Sequence, residues 1–217
     1  MKICRKSMAG VVITGVTLGA AIFAASALQA QIPAPPPAAS AEPSIQFSHR
    51  AKEFLQDAAQ ANQTEIIMAD VAQEKSQNAA VRELAQTVRT DQQLNYVQLQ
   101  SIARAHGVAL DASLSGMNQR TVNRLQKASD ADFDKEYTKA MIKDHVACIK
   151  NFDKAAAQVE DPDVKPYAAN SLPTLRGHLL RAEEAARSVG VDEATISSIL
   201  KGLPTDEVER GVTFNQN

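Results

Sequence analysis

From Ser48 to Val189 small apolar side chains return every three or four residues, and that spacing, kept up through four separate stretches, points to packed helices. In the first stretch Phe54, Ala58, Ala61, Met68 and Ala72 share one face. A second, from about Asn78 to His106, turns Val81, Leu84, Val88, Leu99 and Ile102 inward and meets a left-handed stop at Gly107. A third runs from Ser129 or Asp130 to about Val159 and carries Phe133, Tyr137, Met141, Ile149, Phe152 and Val159. The fourth is expected to open with Asp161 as cap and Pro162 in its first turn, and to close at Gly190. Aromatic residues are only 4% of the chain and Trp is absent, so the core must come from close helix contacts rather than large rings, which favours helices over sheets.

An internal repeat groups these stretches in pairs. A shift of 83 residues places Lys52-Glu53-Phe54 on Lys135-Glu136-Tyr137, Val81 on Val164, Ala85 on Ala168, Ala103-Arg104 on Ala186-Arg187 and Gly107-Val108 on Gly190-Val191. The segment 107–129 between the pairs is too long for a tight turn and contains a short helical pattern from Met117 to Lys127. It can cross a bundle end to end at about 3.3 Å per extended residue. The expected fold is all-α: a ferritin-like, up-and-down four-helix bundle over 48–190, built from two related hairpins with a long crossover. A tail, 191–217, adds a possible short helix from Asp192 to Lys201.

The first 30 residues read as a secretory signal, with Lys2, Arg5 and Lys6 ahead of an uncharged apolar run, Val11 to Ala25, and small residues Ala25-Ser26-Ala27 beyond it. Cleavage is expected after Ala27 or Ala30, giving a periplasmic protein that is not integral to the membrane; a retained anchor over Met8 to Leu28 is the competing reading. Cys4 precedes the apolar run and so cannot be an acylated first residue. Pro33, Pro35, Pro36, Pro37 and Pro43 make 31–47 an extended tether. The leader holds three of the 23 basic residues, so its loss leaves 20 against 25 acidic, a balance that argues against a nucleic-acid partner. It also leaves Cys148 alone, without a disulfide partner, and its expected role is that of a small buried hydrophobe.

Each helix interrupts its apolar stripe near the middle with a group that can take a proton or a metal. Glu65 lies three residues before Met68; Asp91 and Asn95 continue the line of Val81, Leu84 and Val88, with Gln92 beside them; His145 follows Met141 by four; His178 follows Leu175 by three. Glu65 is 12 residues before Gln77 and Asp91 14 after it, a height difference of about 3 Å. His145 is 16 before Asp161 and His178 17 after. Glu65, Asp91, His145 and His178 are therefore candidate ligands for a transition-metal ion, against the alternative that they hydrogen-bond one another and fix helix register. No Glu-x-x-His pair occurs on any helix, which disfavours a di-iron oxidase. Phosphate loops, nucleophile elbows and paired-cysteine motifs are absent, and no catalytic residue is assigned. His106, in a last turn, is expected to complement the helix dipole, His49 to be exposed, and Pro173 to kink the fourth helix.

Glu65-Ile66, Ala72-Gln73-Glu74-Lys75 through Val81, Phe133-Asp134-x-x-Tyr137, Lys143-Asp144-His145, Asp161-Pro162 and Leu172-Pro173-Thr174-Leu175-x-x-His178-Leu179 together resemble the bacterial family known as domain of unknown function 4142, once labelled a predicted outer membrane protein. The resemblance covers about Glu53 to Val189. It implies a ferritin-like fold and an envelope location, with peripheral association open, and no established activity. Members of the family usually carry an Asp-His pair in the second helix where this chain has Asp91-Gln92, which removes one potential imidazole. Strand patterns for an integral barrel are lacking. The expected function is that of an exported periplasmic bundle, a non-catalytic binding or structural module; the alternative is a metal-binding or metal-dependent redox protein using Glu65, His145 and His178. A partner role at membrane or peptidoglycan would rest on the tether alone.

Overall fold

A computed structural model of the chain describes residues 47–203, and all regular structure among them is helical. The expected leader, nearly all of the tether and the last part of the tail lie outside the described residues. The helices are α1 (His49–Lys75), α2 (Ala79–Ala105), α3 (Gly116–Lys127), α4 (Asp130–Gln158), α5 (Val164–Ser188) and α6 (Glu193–Leu200).

Their starts follow from capping chemistry. The Ser48 hydroxyl accepts from the Ala51 N–H, the Asn78 side chain from Ala80 and Val81, Ser129 from Asp132, and Asp192 from Thr195, each cap stabilising its helix by about 1 kcal/mol. At α5 the regular helix begins at Val164, because Pro166 has no N–H to give the Pro162 carbonyl, yet Asp161 is the cap as expected: its carbonyl accepts from the Lys165 N–H at 3.0 Å. Pro162 keeps Asp161 out of the helical region, and Pro162-Asp163 form a turn first. The Asp161 carboxylate still accepts from the N–H groups of Asp163 and Val164, both at 3.0 Å, so it caps across the turn. Pro173 does not end α5, which continues through it to Ser188.

Helix ends also follow the repeat. Gly107 (φ 65°) and Gly190 (φ 77°) stand 83 residues apart in the left-handed region, and behind each the chain folds back alike: Val108 N–H reaches the Ala103 carbonyl at 2.8 Å and Val191 N–H the Ala186 carbonyl at 2.9 Å.

α1 packs on α2 and on α4, and α5 packs on α4 and on α2. Arg50, at the start of α1, donates to the carbonyl of Gln158 at the end of α4, while Lys75 at the other end of α1 donates to the carbonyls of Gln126 and Ala128 just before α4 begins. α1 and α4 are thus antiparallel. His106 at the end of α2 bonds Asp163 at the start of α5, so these two are antiparallel as well. The segment 107–129 leaves beside the first turns of α1, where the Gln56 side chain bonds both backbone groups of Asp111; α3 then lies along α1 and delivers the chain to the opposite end.

Alanine lets these helices approach closely: Ala58, Ala69, Ala72, Ala85, Ala168 and Ala182 are essentially inaccessible. Ala61 and Ile102, expected inward, are only partly buried. The few rings form two groups: near one end Phe54 meets Phe152 edge-on at 4.9 Å and Tyr167 at 6.1 Å, and toward the other Phe133 stacks on Tyr137 at 5.9 Å. α6 closes over α4 through the buried Ile196. No helix among the described residues is long and apolar enough to cross a membrane.

Candidate metal centre

Glu65, on α1, is wholly inaccessible to solvent (0%), as is His145 on α4 (0%), and His178 on α5 is nearly so (2%). Each side chain takes the place of an apolar residue in its helix stripe, so packing of the flanking alanines and leucines carries all three into one layer. The His145 and His178 rings meet edge to face with centroids 5.3 Å apart, and His145 Nε2 lies 3.6 Å from Glu65 Oε2. One potential ligand atom from each of the three lies within 4.8 Å of the others. Sequence heights anticipated this layer.

Asp91 stands differently from the other candidates. It is partly exposed, and its Oδ2 sits 2.8 Å from His178 Nε2, behind the ring rather than in the group of three. Its neighbour Gln92 occupies the buried place on α2 and donates from Nε2 to Glu65 Oε2 at 2.6 Å. A helix turns 100° per residue, so the choice between adjacent positions lay within the tolerance of the periodicity.

Proton bookkeeping defines what the layer lacks. His145 Nδ1 is 3.0 Å from the Met141 carbonyl, which can only accept, so the ring proton is on Nδ1 and Nε2 presents a lone pair. That lone pair faces a Glu65 oxygen at a distance too long for a hydrogen bond. His178 Nε2 donates to Asp91, which leaves a lone pair on Nδ1. Neither His145 Nε2 nor His178 Nδ1 has a hydrogen-bond partner among the described residues. Burial holds His145 neutral by pushing its pKa down, and burial, with His145 close by, lowers His178 to about 4. Burial raises the Glu65 carboxyl above its ordinary range, opposed by hydrogen bonds from its neighbours.

Two lone pairs and a carboxylate, each ring locked from behind by a carbonyl or a carboxylate, is the donor set a borderline cation takes, with the outer partners fixing tautomer and orientation. Tetrahedral coordination at 2.0–2.1 Å spaces ligand atoms about 3.3 Å apart. The His145–Glu65 separation of 3.6 Å is close to that already.

The 83-residue repeat supplies an internal comparison. It relates Asn62 to His145, Asn95 to His178 and Leu84 to Tyr167. Asn62 and Asn95 are both bonded by the Tyr167 hydroxyl, which donates to Asn95 Oδ1. Leu84, which the repeat sets against Tyr167, has no hydroxyl to offer. The amide pair has its hydroxyl partner, whereas His145 Nε2 and His178 Nδ1 have none among the described residues.

Cys148 is buried, as expected, but its surroundings are polar: Sγ lies 3.7 Å from Glu65 Oε1 and 3.9 Å from Asp144 Oδ2. Sequence reasoning missed this contact, although Glu65 and Cys148 are themselves 83 residues apart. His106 makes a separate group at the end of the bundle, 2.9 Å from Asp163 and 3.5 Å from Asp161, with Phe47 stacked on it at 4.3 Å. The expected dipole role understated that ion pair. His49 is exposed and pairs with Glu53.

The fold and this layer define an all-helical bundle protein with a buried imidazole–carboxylate cluster. Residues 34–185 match the family described as "Domain of unknown function (DUF4142)", and the chain belongs to that family. No curated protein matches the chain. Among solved structures it is similar to the DUF305 fragment from Deinococcus radiodurans, with a TM-score of 0.59 and 19% identity, and to CopM in the Cu(I)-bound form, with a TM-score of 0.55 and 16% identity. Each likeness covers 65% of this chain and 98% of the other, and at these identities it is one of fold.

Proposed function

We propose that this chain is an exported, periplasmic, non-catalytic metal-binding protein that holds a divalent transition-metal ion between Glu65, His145 and His178, with Asp91 orienting His178 from behind. In this reading the four long helices form a ferritin-like, up-and-down bundle of two related hairpins joined by the 107–129 crossover, and the site spans both hairpins. The observation that carries it is the pair of buried imidazole nitrogens, His145 Nε2 and His178 Nδ1, whose lone pairs have no donor while Glu65 Oε2 faces one of them at 3.6 Å. A divalent ion satisfies all three groups and offsets a buried negative charge. CopM, similar in fold, is a protein with a Cu(I)-bound form, which is in keeping with a metal role. Export rests on the leader and its small-residue cleavage site.

A purely structural reading has its own support, since Gln92 bonds Glu65 and Asp91 bonds His178 without any ion. Elemental analysis of protein taken from the periplasmic fraction separates the two. Near-stoichiometric Zn, Cu or Fe in the native protein, lost in His145→Ala/His178→Ala, is the expected result. Equal trace metal in both proteins would leave the structural reading standing, and protein retained in the cytoplasm would refute export.

A further inference from the structure

Glu65 turns one oxygen toward the histidines and the other toward a different set of ligands. Oε2 receives Gln92 and faces His145, whereas Oε1 faces the Cys148 thiol at 3.7 Å, and that thiol lies 3.9 Å from Asp144 Oδ2. Glu65, Asp144 and Cys148 each place a ligand atom within 4.8 Å of the others. Asp144 adjoins His145 in the chain and Cys148 follows one turn later, so a single turn of α4 feeds both sides of the carboxylate.

The geometry points to a second cation position, an oxygen, oxygen and sulfur set, that shares Glu65 with the histidine position; this inference rests on the metal reading above. The thiol carries one proton and stands within contact of two carboxyls that also hydrogen-bond one another, so it can satisfy only one of them at a time. Two wholly buried polar atoms without a partner among the described residues lie beside this set. The wholly buried Nε2 of His145 has no partner and confronts the shared carboxylate from the other side. The Tyr137 hydroxyl, also wholly buried and unpartnered among the described residues, lies near enough to Glu65 to feel its charge. Burial is graded across the set, from the partly open Asp144 through Cys148 to the inaccessible Glu65, which gives an ion a way in from the α4 surface. Sulfur among the ligands selects a thiophilic ion such as Zn²⁺ or Co²⁺ over Mg²⁺ or Ca²⁺. On binding, the Sγ–H bond breaks, its proton leaves to solvent and an Sγ–metal bond forms with no change of oxidation state.

Cobalt(II) titration of the full mature chain tests this, because thiolate ligation gives a near-ultraviolet charge-transfer band, while imidazole and carboxylate ligation gives only visible d–d bands. The expected result is d–d intensity that develops with the first equivalent and a sulfur band that continues to grow through the second. Cys148→Ser should lose the sulfur band and keep the first equivalent; Asp144→Asn, which retains the thiol, should need several-fold more cobalt to develop it. A sulfur band that saturates with the first equivalent would mean one shared ion and overturn the second position. Visible bands with no sulfur band would overturn it too while leaving the histidine site intact. Absence of all bands would remove both readings.

Discussion

Replacing Glu65 by Gln should push the empty and the loaded protein in opposite directions. Glu65 is fully buried, is hydrogen-bonded to Gln92, Cys148 and Asp144, faces the lone pair of His145 and has no Lys or Arg against it among the described contacts. Gln keeps the shape and removes the charge; because Oε2 both receives Gln92 and faces His145 Nε2, its NH2 at that position serves His145 once the Gln92 amide turns over to present its oxygen. Relief of a buried, incompletely paired group is worth about 1–3 kcal/mol. For a domain of this size that is a rise in melting temperature of about 2–12 °C, at about 2–4 °C per kcal/mol. With metal the order changes. An ion present at about 100 times its Kd stabilises the native state by about 2.7 kcal/mol, or about 5–11 °C, and Glu65→Gln forfeits most of that with its lost ligand. Scanning calorimetry of both proteins, with chelator and with excess Zn²⁺, reads both effects. A variant that melts below the native protein in chelator would refute the claim that the carboxylate is underpaired, and a zinc shift as large as the native one would refute its role as ligand.

Other changes test separate parts of the structure. Gly107→Ala and Gly190→Ala should each cost about 1–2 kcal/mol and by similar amounts, since both hold left-handed φ and a Cβ would meet nothing at Gly107 and only ordinary contact with Lys135 at Gly190; chemical denaturation would show it, and a large inequality would expose a packing role. Tyr137→Phe should raise stability and Tyr167→Phe lower it by about 1–2 kcal/mol, because the first removes an orphaned buried hydroxyl and the second orphans two asparagines; destabilisation by both would mean that Tyr137 has a partner. His178 titrates at about 4 when folded and near 6.5 when unfolded, so its contribution to the empty protein is fully present above 6.5 and is lost as pH falls toward 4. Compared with His178→Asn, the native protein should therefore lose stability more steeply across that window, and parallel pH profiles would contradict the assignment.

The helices were readable because alanine, leucine and valine at helical spacing leave one solution, and the stops at Gly107 and Gly190 are demanded by backbone sterics. The common level of Glu65, His145 and His178 was readable for the same reason, a fixed rise per residue. Which of Asp91 and Gln92 faces inward was not, because the angle between them is decided by how α2 rolls against α1 and α5. The contact of Cys148 with two acids was hidden for another reason: thiols and alanines pack alike, and only the neighbours across the helix interface reveal the difference. The late start of α5 is local chemistry: Pro166 has no N–H to give the Pro162 carbonyl, so the first turn is interrupted behind an intact Asp161 cap.

A dimer of identical hairpins must put the same residue at both members of every symmetry-related pair, so any donor placed near its axis comes with an unwanted twin. Carrying both hairpins on one polypeptide lifts that restriction. Here one half retains amides stoppered by a phenol, the other bears imidazoles, and a carboxylate on one side answers a thiol on the other. Asymmetry of this kind gives a scaffold of two helical hairpins a buried polar cluster with unlike sides, something two equal copies cannot do.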